Sequence, residues 1–230
     1  MALKKILLSW SGGKDSAWAL HLLRSREEFA SRYEVVGLLT TINDHFHRVA
    51  MHGFREELLD LQAEAAGLPL WKIPLPWPCS NEIYEAQMAA ACERAVREGI
   101  GGMAFGDLFL EDIRAYRIER LAPTGLEPIF PCWLLPTDQL AREMIAAGLG
   151  ARLTCVDPRA FPGVDARTFA GRVFDADLLH ELPASVDPCG ERGEFHTFVT
   201  DGPMLSRSIE VHRGEIIERD GFLYADLLPA

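Results

Sequence analysis

Lys5-Ile6-Leu7-Leu8-Ser9-Trp10-Ser11-Gly12-Gly13-Lys14-Asp15-Ser16 runs from a short, nearly all-apolar stretch through a glycine pair into a helical pattern. The apolar run reads as a strand buried on both faces of a parallel sheet. From Asp15 on, Ala17, Trp18, Leu20, Leu22 and Leu23 fall among good helix formers and predict a helix to about Arg26. A glycine-rich turn from strand to helix lets backbone N–H groups approach an anion, and the helix N-terminus adds about half a positive charge. Phosphate is the expected occupant, with Lys14 contributing a full charge.

Outward from this turn the alternation continues. Residues 33–42 form a β-rich run, residues 55–66 an amphipathic helical pattern stopped by Gly67 and Pro69, and residues 70–74 a third short strand. Asn81 is the expected N-cap of a helix over 82–98 that ends at Gly99, and residues 102–106 read as a fourth strand. This rhythm predicts right-handed crossovers and a parallel sheet that takes ligands at the carboxyl ends of its strands. After the proline-punctuated segment 123–136 the texture changes. A helix over 138–147 and a strand over 152–156 precede short β-like runs at 195–200, 208–213 and 222–225, separated by Asp-Gly turns. The expected architecture is an α/β parallel-sheet domain over 1–135 and a smaller α+β domain over 136–230 that leans on it.

Composition narrows the function. The 230 residues carry 23 Lys+Arg against 34 Asp+Glu, a formal net charge of −11, which argues against a nucleic-acid partner. The longest uncharged run, residues 128–137, contains three prolines, whereas a membrane span needs about 20 apolar residues. No membrane association is expected. The apolar stretch near the amino terminus is too short for a secretion signal. The cysteines, Cys79, Cys92, Cys132, Cys155 and Cys189, are odd in number, widely spaced and without a Cys-x-x-Cys pair. A cytoplasmic protein without a disulfide framework is the expectation.

The two best-known phosphate loops do not fit. Gly-x-x-x-x-Gly-Lys-Ser/Thr fails at Leu8 and Asp15, and the dinucleotide fingerprint fails because Gly12 and Gly13 are adjacent. The hexapeptide Ser11-Gly12-Gly13-Lys14-Asp15-Ser16 instead resembles the Ser-Gly-Gly-x-Asp-Ser pyrophosphate-binding loop of the ATP pyrophosphatases, or adenine nucleotide alpha hydrolases. Three further segments narrow the likeness: Met51-His52-Gly53, Ala104-Phe105-Gly106-Asp107-Leu108-Phe109-Leu110-Glu111-Asp112-Ile113-Arg114, and Asp187-Pro188-Cys189-Gly190-Glu191-Arg192-Gly193-Glu194-Phe195-His196-Thr197-Phe198. Together they resemble the diphthine–ammonia ligase family over nearly the whole chain. One departure is Phe195, where the family usually has tyrosine. Eukaryotic members carry extra carboxy-terminal domains that do not fit in 230 residues, so a short archaeal or bacterial form is expected.

The resemblance implies a Rossmann-like, HUP-type ATP-binding domain and a reaction at the α-phosphate of ATP. A carboxylate attacks, pyrophosphate leaves, and ammonia displaces AMP to give an amide. ATP and Mg²⁺ are the expected cofactors. The expected partners are ammonium, a carboxylate acceptor such as a modified histidine on a translation elongation factor, and a second copy of the chain in a homodimer. The implied nucleotide set is Ser9, Ser11, Gly12, Gly13, Lys14, Asp15, Ser16 and Gly106, with Leu39, Thr40 and Met51 flanking adenine and His52-Gly53 beside the phosphates.

The residues themselves bear on these roles. Stabilisation must sit on departing pyrophosphate, where Lys14, backbone donors and a metal serve. Asp15 suits either a Mg²⁺ bridge to phosphate or a helix cap. Asp107, after a strand, suits a metal ligand or base, which is favoured over a turn-forming Asp. Arg114 is the expected bidentate clamp for a substrate anion and Glu111 accompanies it, while Asp112 and Arg117 read as a solvated helix face. Cys189, Gly190, Glu191, Glu194, His196 and Thr197 crowd two carboxylates, a thiol and an imidazole around glycines. Glu191, Glu194 and His196 are the expected groups to orient or deprotonate ammonium near neutral pH. Two other classes compete: a tRNA-thiolating ATP pyrophosphatase, which would want paired cysteines and a basic surface, and a nucleotide sensor without turnover, which would not need the 189–197 cluster.

Overall fold

A computed structural model describes residues 2–49 and 52–230. The apolar run becomes β1 (Lys4–Ser9), whose Ile6, Leu7 and Leu8 have no exposed surface; full burial is worth about 1.5–3 kcal/mol for each such side chain. The glycine turn follows, then α1 (Lys14–Ser25) and the short α2 (Glu27–Ala30). β2 (Tyr33–Asn43), β3 (Arg48–Val49), α3 (Glu56–Ala66), β4 (Leu70–Leu75), α4 (Asn81–Arg97), β5 (Gly102–Ala104), α5 (Glu111–Leu121) and β6 (Glu127–Ile129) complete the first half.

These strands form one six-stranded sheet in the order β3-β2-β1-β5-β6, with β4 also paired to β2. All pairings are parallel except the β2–β3 ribbon. β1 is therefore central, with β2 on one side and β5 on the other, and the order reverses at its carboxyl end, where such sheets open a crevice. The expected α/β fold with a parallel sheet is present.

The second half contains α6 (Thr137–Ala146), β7 (Gly150–Val156), α7 (Ala176–Glu181), β8 (Phe195–Asp201), β9 (Val211–Arg219) and β10 (Phe222–Pro229). Its four strands form an antiparallel sheet in the order β8-β7-β10-β9. One buried cluster runs from Trp10, Leu20, Phe54 and Leu58 of the first half into Phe161, Phe174, Phe195 and Phe198 of the second. A smaller cluster, including Leu7, Leu39, Trp71, Cys92, Met103 and Phe105, fills the other face of the parallel sheet under α4 and α5.

Several boundaries differ from the sequence reading. Ser80, not Asn81, caps α4, its side chain accepting from the Ile83 amide at 3.4 Å. The proline-rich segment conceals β6, which tolerates Pro128 because it lies at the sheet edge. The run at 208–213 enters a strand only at Val211, and that strand continues to Arg219. No helix among the described residues is long and apolar enough to cross a membrane.

The halves are sewn together at the glycine turn. The Gly12 carbonyl accepts from the Val199 amide of β8 at 3.0 Å and from Gln62 Nε2 of α3 at 2.9 Å. Gln62 is fully buried; its Nε2 also donates to the Val199 carbonyl at 2.7 Å, and its Oε1 accepts from Trp10 Nε1 at 3.0 Å. A buried amide with all these bonds made is stabilising, whereas orphaning its partners costs about 1–3 kcal/mol per group. Gln62→Leu is accordingly expected to lower the unfolding free energy by about 2–3 kcal/mol, read from the denaturation midpoint at constant slope. A loss below about 0.5 kcal/mol, the range of ordinary surface changes, would show that the turn is held otherwise.

Candidate active site

The turn takes its shape from glycine and from what presses on it. Gly12 sits at φ +75°, and a Cβ there would lie 2.4 Å from Phe54 Cζ. Gly106, after β5, lies against the start of α1: a Cβ would come within 2.8 Å of the Asp15 carbonyl carbon and the Ser16 amide nitrogen. Gly13 is the N-cap of α1 with no side-chain cap, which removes the capping role for Asp15. The Gly13 amide donates to Ser11 Oγ at 3.3 Å and the Lys14 amide to Thr197 Oγ1 at 3.0 Å. Two amides that sequence reasoning would assign to phosphate thus already have protein partners. Ser16 Oγ donates to the Gly13 carbonyl at 3.0 Å, so in the Ser11–Ser16 hydroxyl pair at 3.2 Å Ser11 is the donor.

Lys14 is 1% exposed, and its ammonium is enclosed by protein. It donates to Asp15 Oδ2 at 2.9 Å and to the Cys189 carbonyl, and lies 5.2 Å from the centroid of the Phe195 ring and 5.8 Å from that of Phe174. Burial opposes its charge, but the Asp15 carboxylate, with Glu191 beyond it, holds its pKa above the ordinary value. Asp15 is pushed up by burial against the pull of Lys14. Its second oxygen, Oδ1, is buried without a hydrogen-bond partner among the described residues.

Glu191 faces the same space. Its Oε1 accepts from the Leu108 amide at 2.8 Å. Burial, reinforced by the charges of Asp15 and Asp107 and opposed by the Leu108 amide and Lys14, pushes its pKa up to about 7. A carboxyl poised there is suited to exchange protons at neutral pH. Its neighbour Glu194 is committed elsewhere: Oε1 accepts from the Asp187 amide at 3.0 Å and Oε2 from the Arg192 amide at 2.9 Å. Glu194 holds the 187–194 loop in shape, as does Asp187, which accepts from Thr137 Oγ1 at 2.6 Å and the Cys189 amide at 2.9 Å.

Two imidazoles face each other across the site. His52 and His196 lie with ring centroids 4.7 Å apart. Burial lowers His52 to about 4, despite the bond between its Nδ1 and the Thr197 carbonyl at 3.0 Å. Burial, the facing His52 and Lys14 lower His196 to about 3. At such values both rings are uncharged at neutral pH and hold a proton weakly.

Asp107 is held by Arg117, Nε donating to Oδ2 at 2.9 Å and Nη2 to Oδ1 at 3.4 Å. Both its oxygens thus already accept from Arg117, and no group of three or more potential metal-ligating side chains converges among the described residues. Arg117 is no solvated helix residue, since its guanidinium also lies 4.5 Å from the Phe105 ring centroid. Arg114, the expected clamp, lies near Trp133 at 4.8 Å and Phe130 at 5.1 Å, its buried Nε without a hydrogen-bond partner among the described residues.

A cavity of about 540 Å³ at the carboxyl end of β1 brings together Ser9, Ser11, Lys14, Asp15 and Ser16 with Leu39, Thr40 and His52, and with Gly106, Asp107, Gly190, Glu191, His196 and Thr197. Gly12, Gly13 and Gly53 shape its surroundings but do not line it; a Cβ on Gly53 would meet the Tyr224 ring at 2.5 Å. Cys189, Glu194, Glu111 and Arg114 are likewise outside its lining, and Glu111 is exposed at the start of α5. Met51 lies outside the described residues. Arg117, Tyr84, Met88 and Phe195 line the cavity without having been singled out for it.

If Glu191 takes the proton from ammonium, the rate at constant ammonium concentration should rise with pH as Glu191 ionises and level off above about pH 7. Glu191→Gln should abolish that limb, and no limb belonging to histidine should remain near pH 6.5. A pH–rate profile unchanged in Glu191→Gln would assign the base elsewhere.

Comparison with known proteins gives a consistent family. The diphthamide synthase N-terminal domain matches residues 4–125 and the diphthamide synthase C-terminal domain residues 137–225. The chain is 25% identical to the diphthine–ammonia ligase of Homo sapiens over 236 residues, covering 90% of this chain and 82% of that protein. It is 27% identical to the protein of the same name from Danio rerio, covering 90% and 86%. With that of Schizosaccharomyces pombe it shares 24% identity over 93% of this chain but 37% of the longer relative.

Proposed function

Since the chain belongs to the diphthamide synthase family, we propose that its cavity carries out an ATP-dependent C–N ligation in two half-reactions, adenylation of a carboxylate and its amidation by ammonia. The acceptor in this reading is the carboxylate of diphthine, the substrate named for the relatives, carried on a translation elongation factor. The observation that carries the proposal is the Lys14 bridge. Through it, the turn that would grip the phosphates and the loop bearing Glu191 face one space at the carboxyl end of β1.

In the first half-reaction a carboxylate oxygen attacks the α-phosphorus, the bond to the bridging β-phosphate oxygen breaks, and pyrophosphate leaves with its charge. Ser11 Oγ, turning from Ser16, is the hydroxyl donor at the leaving group, and the buried Lys14 ammonium adds positive charge beneath it. A Mg²⁺ ion would neutralise the phosphates there, and the unpartnered Asp15 Oδ1 is a fitting oxygen ligand for an ion that binds through one carboxylate and substrate phosphates. In the second half-reaction ammonium gives one proton to Glu191, its nitrogen bonds to the acyl carbon, AMP leaves with the acyl C–O electron pair, and a further proton is lost to solvent. The neutral His52 and His196 line this space without adding charge that would repel ammonium.

The thiolation alternative has no support at Cys189. Its thiol is buried and donates to the Thr137 carbonyl at 3.4 Å, with its pKa raised well above the usual range by burial. With ATP, Mg²⁺, ammonium and diphthine-bearing elongation factor, the products are expected to be AMP, pyrophosphate and the amidated factor, resolved by labelling the α- and γ-phosphates separately. ADP and phosphate would overturn the mechanism. Asp15→Asn should lower turnover by about a hundredfold, the scale of removing one transition-state electrostatic contact, while leaving the melting temperature within a few degrees. Full turnover in that variant would remove the proposed role of Oδ1.

A further inference from the structure

The face of the parallel sheet turned away from the second half is thinly covered. α4 buries only Ala91, Cys92 and Ala95 along its 17 residues, and α5 buries only Leu121. Between them runs a groove of about 930 Å³ whose lining includes the apolar side chains Met88, Cys92, Met103, Phe105 and Leu121. Its inner end is the nucleotide cavity: Tyr84, Met88, Phe105 and Arg117 line both.

The rim is acidic. Arg97 and Arg120 are paired to Glu93 and Glu85, and Arg117 to Asp107. Glu82 and Glu119, also on the lining, have no ion-pair partner among the described residues. Together with the chain's net charge of −11, this favours an occupant with basic and apolar side chains.

Arg117 stands where the two spaces meet. Its guanidinium is steadied against Phe105 and already holds one carboxylate, that of Asp107, with two nitrogens. This is the fork geometry that recognises carboxylates. We propose that the α4–α5 groove receives the polypeptide segment carrying the acceptor carboxylate, and that Arg117 takes that carboxylate from the groove into the cavity. The proposal rests on the reading that a carboxylate is adenylated here.

The test uses diphthine-bearing elongation factor as probe and separates binding from turnover. Ala89 lines the groove but not the cavity. Ala89→Trp should weaken binding of the factor by at least about tenfold, within the range of blocking an interface centre, with ATP affinity as the control. Arg117→Ala should raise KM for the factor by a similar factor, more than KM for ATP, and Arg117→Lys should recover part of the loss. Wild-type binding by Ala89→Trp, or no binding of the factor by the unaltered protein, would overturn the proposal. So would a change in oligomeric state in Ala89→Trp with factor binding retained, because the groove would then be a contact between copies of the chain. Loss of binding in Ala89→Trp alongside ADP as product would support the groove and overturn the adenylation reading instead.

Discussion

The site depends on one buried cation. An isolated ammonium out of water costs several kcal/mol, so Lys14 can stay charged only if its surroundings supply compensating contacts. They come from two places far apart in sequence, Asp15 beside it and the Cys189 carbonyl in the second half, with the faces of Phe174 and Phe195 closing around it. The same contacts that stabilise the charge set the distance between the glycine turn and the 187–194 loop. Phe195 keeps its ring against the ammonium without adding a hydroxyl.

Around Lys14 the charges are graded. Asp15, Glu191 and Asp107 surround one cavity, and their mutual repulsion, added to burial, is what lifts Glu191 into the neutral range. Asp107 has Arg117 as its ion-pair partner, and the two imidazoles are held neutral by burial. One carboxyl is thereby able to trade a proton, one is left with a vacant oxygen, and one is held in reserve by a guanidinium. Such divergence among neighbouring acids is how a site divides labour between groups of the same chemical kind.

What could be read from the chain follows from how local each cause is. β1, the turn and α1 were legible because an apolar run, a glycine pair and a helical pattern lie side by side. β6 was hidden because Pro128 argues against a strand unless its edge position is known. The loop acids could not be sorted by sequence: Glu191 and Glu194 are equivalent on paper, and only the fold reveals that backbone amides occupy both oxygens of Glu194. The lowered pKa of His196 comes from tertiary packing, which the sequence does not display. Arg117 gave a partial signal, since Asp107 lies ten residues upstream, but Phe105 and the cavity wall were needed to distinguish it from Arg114. Gln62 gave none, its partners being 50, 52 and 137 residues away.

The shared carbonyl of Gly12, claimed from one side by α3 and from the other by β8, also limits how this architecture can be rearranged. A carboxy-terminal half grafted from another protein would have to reproduce that seam before it could offer any new chemistry. Diversification within this scaffold is therefore easier by appending modules to its ends than by exchanging the half that closes the site.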